Sequence, residues 1–130
     1  MAKTALVTGA SSGIGREIAR DLSARGFRVI LSARREERLR ELAEELGDNT
    51  RVIVCDVSDR EECLRLYEET KSEKISVLVN CAGFGAVGSF DELPLDTELK
   101  MIDTNITAVH MLTKLFLKDF VAADRGYIMN

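Results

Sequence analysis

Residues 8–15 read Thr8-Gly9-Ala10-Ser11-Ser12-Gly13-Ile14-Gly15. The stretch follows a short apolar run, Thr4 to Val7, and opens a segment in which Ile14, Ile18 and Leu22 recur every fourth residue. A strand thus runs into an amphipathic helix through a turn holding three glycines and two serines. Glycine takes positive φ, and its missing side chain lets an anion approach the backbone amides. The helix that follows adds unpaired N–H groups and the positive end of its dipole. In a doubly wound sheet this crossover lies at the carboxyl ends of the strands, where ligands bind. The spacing G-x-x-x-G-x-G departs from the common G-x-G-x-x-G, so the generic fingerprint is not met. Placement between strand and helix argues for a phosphate-holding loop over a plain linker.

Further along, β-prone runs recur at Phe27–Leu31, Arg51–Cys55, Ser76–Val79 and Gly126–Met129. They are nearly continuous in apolar character, as strands covered on both faces are. Between them lie helical patterns: Leu39, Leu42, Ala43 and Leu46 in one, and Cys63, Leu64 and Tyr67 in another that Ser58 or Asp59 would cap. Gly26 and Gly47 stand where helix ends need a left-handed residue. Pro94, the single proline, is expected to open a short helix after the glycine-rich segment 83–88, the best candidate for a mobile loop. A long helix is expected over 103–123, with Ile102, Ile106, Val109, Thr113, Phe116 and Phe120 as one stripe. Met111, Leu112 and Leu115 widen that stripe, so both the sheet and a second copy of the chain are expected to cover the helix. The expected fold class is α/β: a Rossmann-like, doubly wound parallel sheet in strand order 3-2-1-4-5, one nucleotide-binding domain over 1–130.

Composition narrows the function. The chain has 130 residues, 45% hydrophobic and 31% charged, which suits a globular domain able to bury a core. A net charge of -4 with scattered arginines argues against a nucleic-acid partner. No run approaches the ~20 apolar residues of a membrane span. Cys55, Cys63 and Cys81 have no metal-ligand spacing and read as free thiols of a cytoplasmic protein, and no metal is expected.

Several motifs in order resemble the short-chain dehydrogenase/reductase family. Thr8 to Gly15 looks like its T-G-x-x-x-G-x-G cofactor motif, and Asp56-Val57 is similar to the pair that contacts adenine. Asn80-Cys81-Ala82-Gly83 resembles N-N-A-G, with a cysteine for the second asparagine. Asn105 matches the helix asparagine of the active-site tetrad, and Gly126 to Asn130 resembles the G-x-I-x-N strand. The resemblance implies a hydride-transferring oxidoreductase acting on a small carbonyl or alcohol substrate. It implies that Gly9, Ser11, Ser12, Gly13, Ile14 and Gly15 hold the pyrophosphate, that Asp56 and Val57 frame adenine, and that Asn80, Ala82 and Gly83 line the adenosine ribose. Asn105 is the one catalytic-tetrad residue that it locates.

The end of the second strand selects the cofactor. Ala33 occupies the place where an NAD-selecting enzyme has an acid for the ribose hydroxyls, and Arg34 and Arg35 follow. Guanidinium groups there favour a 2′-phosphate, so NADP is preferred to NAD.

The family's catalytic serine and Y-x-x-x-K follow the G-x-I-x-N strand, and this sequence stops at Asn130. Tyr67 and Lys71 spell Y-x-x-x-K, yet they fall on the third helix in the cofactor half and read as a packed aromatic with an exposed lysine. His110 reads as a helix-surface or interface residue. The expectation is therefore the cofactor-binding part of a longer reductase, truncated after the fifth strand and inactive alone. A fifth strand left as an open edge and an uncovered long helix would favour dimerisation or aggregation. The alternative is a dinucleotide-binding module with no catalysis of its own.

Overall fold

A computed structural model describes residues 3–130. The chain runs β1 (Thr4–Thr8), α1 (Gly13–Ala24), β2 (Arg28–Ala33), α2 (Glu36–Leu46), β3 (Thr50–Val54) and α3 (Arg60–Thr70). A 3₁₀ turn (Lys71–Glu73), β4 (Ile75–Asn80), α4 (Leu95–Ile102), a π-helical turn (Asp103–Thr107), α5 (Ala108–Ala123) and β5 (Tyr127–Met129) complete it. The five strands form one parallel sheet in the order β3-β2-β1-β4-β5, as expected.

Alternation along the strands sorts the core into two layers. Leu6, Ile30 and Leu78 pack with residues of α3 and α5, while Val7, Val29, Leu31 and Val79 pack with residues of α1 and α2. Both strand faces are apolar for that reason. β1 is central and all five of its residues are buried. Asp59 caps α3 by accepting from the Glu61 N–H at 2.9 Å.

Three expectations about helix faces need correction. In α1 the buried residues are Gly15 and Ala19, while Ile14 is 75% exposed. A Cβ on Gly15 would lie 2.3 Å from the Gly9 carbonyl oxygen, so only the smallest residues fit beneath the start of this helix. In α3, Cys63, Leu66 and Thr70 are buried and Leu64 is exposed. The segment 103–123 is not one uniform helix. Helical structure begins at Leu95 and passes through the π turn, in which the Ala108 N–H donates to the Asp103 carbonyl.

A π turn accommodates one more residue than an α turn and so rotates the helix face. Beyond it, Ala108, Leu112, Phe116 and Phe120 form the buried stripe. Ile102 and Ile106 lie outside with Leu117 and Val121, contrary to the stripe expected from an unbroken period. Phe116 meets the Tyr67 ring edge-on, with centroids 5.1 Å apart and planes at 77°. β5 pairs with β4 alone and forms the sheet edge. Truncating Phe116→Ala should remove about 3–5 kcal/mol of stability, read as a lower urea midpoint.

Candidate functional site

At the carboxyl ends of the strands the loop after β1 and the segments after β2, β3 and β4 surround a cavity of about 420 Å³. Gly9, Ser12, Gly13, Ile14 and Gly15 form one wall. Gly9 has φ +64°, and a Cβ there would lie 2.6 Å from the Cys81 carbonyl carbon. Gly13 has φ +57° with nothing within 4 Å of its would-be Cβ. The first glycine lets two backbones touch, and the second supplies a turn and leaves its side open. Thr8 locks the contact: its Oγ1 donates to the Val79 carbonyl at 3.3 Å and accepts from the Cys81 and Ala82 N–H groups, each at 3.2 Å.

The start of α1 suits an anion. Its first turn contains no acidic residue, and the Ser12 side chain caps none of its N–H groups. By contrast α2 has Glu36 and Glu37 in its first turn, and α3 has Glu61 and Glu62. Acids there satisfy the positive end of a helix dipole, so α1 is left with its field unanswered. From the end of β2, Arg35 Nη2 donates to Ser11 Oγ at 3.1 Å and to Ser12 Oγ at 2.9 Å. Arg34 and Arg35 both line the cavity, and Ala33 places no acid between them and it. Ser11 is buried and stands behind the loop, so of the two serines only Ser12 reaches the cavity wall.

Asp56 and Val57 line the next wall. Burial pushes the Asp56 carboxyl up, but bonds from Ser58 (N–H at 3.0 Å, Oγ at 2.7 Å), with Lys100 and Arg34 nearby, hold it below the usual carboxylate range. Lys100 Nζ lies 3.9 Å from Asp56 Oδ2. Ala82 and Gly83 line the wall after β4, but Asn80 does not. Its amide is turned away, donating to Thr113 Oγ1 at 3.1 Å and to Asn130 Oδ1 at 2.8 Å, and it ties β4 to α5 and to the residue after β5.

Asn105 sits in the π turn, outside this cavity. Its Oδ1 accepts from the Phe84 N–H at 3.0 Å, and its Nδ2 donates to the Phe84 carbonyl at 2.8 Å. This two-point clamp fixes the start of the glycine-rich segment 83–88. Tyr67 lies at the opposite rim of the sheet, where its hydroxyl donates to Asp119 Oδ2 at 2.8 Å. That bond, reinforced by burial, pushes the phenol up to about 12.

Ser32, Cys55, Cys81, Phe84 and Thr104 also line the cavity, and motif spacing singled out none of them for it. Their neighbours Ala33, Asp56, Ala82, Gly83 and Asn105 carried the sequence signal instead. Cys55 is buried, and burial pushes its thiol up to about 12, so it packs as an apolar group.

The sequence pattern of the family described as short chain dehydrogenase matches residues 3–130. The chain belongs to that family. Among its curated relatives, an uncharacterised oxidoreductase of Staphylococcus saprophyticus is 37% identical over 134 residues, covering 98% of this chain and 57% of the relative. The 3-oxoacyl-(acyl-carrier-protein) reductase of Rickettsia prowazekii is 37% identical over 128 residues, covering 98% and 52%. A solved metagenomic short-chain oxidoreductase in complex with NADP superposes with a TM-score of 0.91 at 34% identity, covering 97% of this chain and 60% of that one. This short-chain dehydrogenase chain thus spans about half the length of the curated relatives it matches.

Gly9→Ala combines left-handed strain with backbone overlap and should cost about 2–5 kcal/mol of stability. Gly13→Ala carries the strain alone and should cost about 1–2 kcal/mol. Thermal unfolding of the two variants checks the order.

Proposed function

We propose that the protein is an NADP-dependent oxidoreductase acting on a carbonyl or alcohol substrate, and that these residues form its cofactor-binding part. The observation that carries this reading is the pair Arg34 and Arg35 at the cavity, with Arg35 bonded to both loop serines and Ala33 where an acid would stand. The free amides at the start of α1 hold the pyrophosphate, with Gly13 and Ser12 against it. Arg34 and Arg35 meet the 2′-phosphate, Asp56 and Val57 frame the adenine, and Ala82 and Gly83 approach the ribose. The bound dinucleotide supplies the hydride. Asn105 contributes by holding the helix bend and the start of the 83–88 segment at the substrate side of the site. The reductase relatives and the NADP-bound neighbour support this reading.

Reduction of a carbonyl also needs a positioned proton donor. The single Tyr-x-x-x-Lys spacing in this sequence, Tyr67 to Lys71, lies at the far rim of the sheet. The second reading is a dinucleotide-binding module without catalysis; a reductase assay on a panel of carbonyl compounds beside coenzyme binding separates the two. The three thiols are free among the described residues, in keeping with a reducing, cytoplasmic setting. No helix among the described residues is long and apolar enough to cross a membrane.

Replacing Arg34 and Arg35 by alanine should weaken NADP binding by about 10- to 100-fold, the worth of a charge-assisted contact, and leave NAD binding nearly unchanged. Calorimetry with both coenzymes reads this directly, and equal losses would remove the assignment.

We further propose that a second copy of the chain covers the outer face of α4 and α5. Leu99, Ile102, Ile106, Leu117 and Val121 are all exposed there, with Ile106 at 63%. Apolar patches of this kind mark interaction surfaces. Light scattering at micromolar concentration should give a dimer, and Leu117→Asp should shift it to monomer with unchanged circular dichroism. A monomeric parent would overturn the proposal.

A further inference from the structure

The groove between α3 and α5 lies at the amino-end rim of the sheet, beside Ile75 at the start of β4. It encloses about 380 Å³, within the usual range for small-molecule sites. β4 is six residues long, so ~20 Å of strand separates this groove from the cofactor cavity. Its floor is apolar, formed by the half-buried Tyr67 with the buried Phe116, Phe120 and Ile75 beneath. Its rim is cationic, with Lys71, Lys74 and Arg125.

Two of the acids nearby are already paired with cations. Glu73 receives both Arg28 and Arg51, and Glu68 pairs with Lys71 at 2.5 Å. Asp119, which lines the groove, accepts the Tyr67 hydroxyl at 2.8 Å. Among the described residues neither Lys74 nor Arg125 has a carboxylate within ion-pairing distance. Two unanswered cations over an aromatic floor stand out on a chain whose net charge is -4.

Left-handed caps at two helix ends bring these cations to one rim. The two non-glycine residues with positive φ among those described are Lys74, at 55°, and Asp124, at 53°. One is a rim cation and the other immediately precedes Arg125.

We propose that this groove binds a small organic carboxylate with a ring-sized apolar body. The carboxylate would lie between Lys74 and Arg125, and the apolar body would lie against the half-buried ring of Tyr67, above the buried Phe116 and Phe120. An inorganic anion would leave the open part of the Tyr67 ring wet, and a neutral hydrocarbon would desolvate the cations without answering them. Lys71, whose Nζ is 5.9 Å from the Tyr67 ring centroid, closes the side of the site.

Phenylacetate and its neutral isostere phenylacetamide test this by amide-resolved NMR titration. Phenylacetate should give saturable shifts at Lys71, Lys74 and Arg125 with a Kd of about 0.1–1 mM, a normal efficiency for so small a ligand. Phenylacetamide should bind at least about tenfold more weakly, and the double variant Lys74→Ala/Arg125→Ala should lower phenylacetate affinity by a similar factor. Both rim residues are exposed, and an unchanged thermal midpoint would certify the variant's fold. Saturating NADP should leave the binding intact. No saturable shift, equal binding of acid and amide, or shifts confined to residues 9–15 would each overturn the inference.

Discussion

The contact on which the rest of the structure depends is between two stretches of backbone: the loop after β1 and the end of β4. Gly9 lies so close to the Cys81 carbonyl that no side chain fits between them, and Gly15 lies equally close to the Gly9 carbonyl. Thr8 adds three hydrogen bonds across the same junction. Pulled in this tightly, the loop delivers the first turn of α1 to the carboxyl rim between β1 and β4. A wider loop would leave the helix end in solvent, where its dipole is screened.

Electrostatics then follow from what the chain omits. α2 and α3 answer their own dipoles with glutamates, while α1 leaves its amides uncompensated beside two arginines. Arg35 also shows how a helix-start residue becomes part of a site. Its own position is the N-cap of α2, yet its guanidinium crosses to the serines of the neighbouring loop. The cavity and the basic groove lie at opposite rims of one sheet, and the helical run from the π turn through α5 reaches from one to the other. Its π turn anchors the segment after β4, and its far end supplies the floor of the groove.

Much of this is legible in the sequence. The five apolar runs became five strands in the expected order, and the cap residues Asp59 and Gly47 fell where helices begin and end. The loop glycines, Asp56, Val57, Ala82, Gly83 and both arginines do line one cavity. Ile14 lines it too, and Asn80 and Ser11 do not. Asn80 serves as a brace inside the fold and Ser11 stands behind the loop, while Ile14 opens to the cavity and not to the core beneath α1. Adjacency in a motif fixes where the backbone passes, but local geometry decides which of two neighbouring side chains faces the cavity.

The sequence by itself determined the alternation of strand and helix, the parallel sheet covered on both faces, and the anion-receptive turn after β1. Those features follow from periodicity, from glycine's freedom and from helix-end chemistry, all of which act within a few residues. Tertiary structure alone decided the phase of α4 and α5, since one extra residue in a π turn rotates every side chain beyond it. It also decided that Lys71, Lys74 and Arg125 share one rim, because charges some fifty residues apart meet only once the sheet has closed its β4–β5 edge.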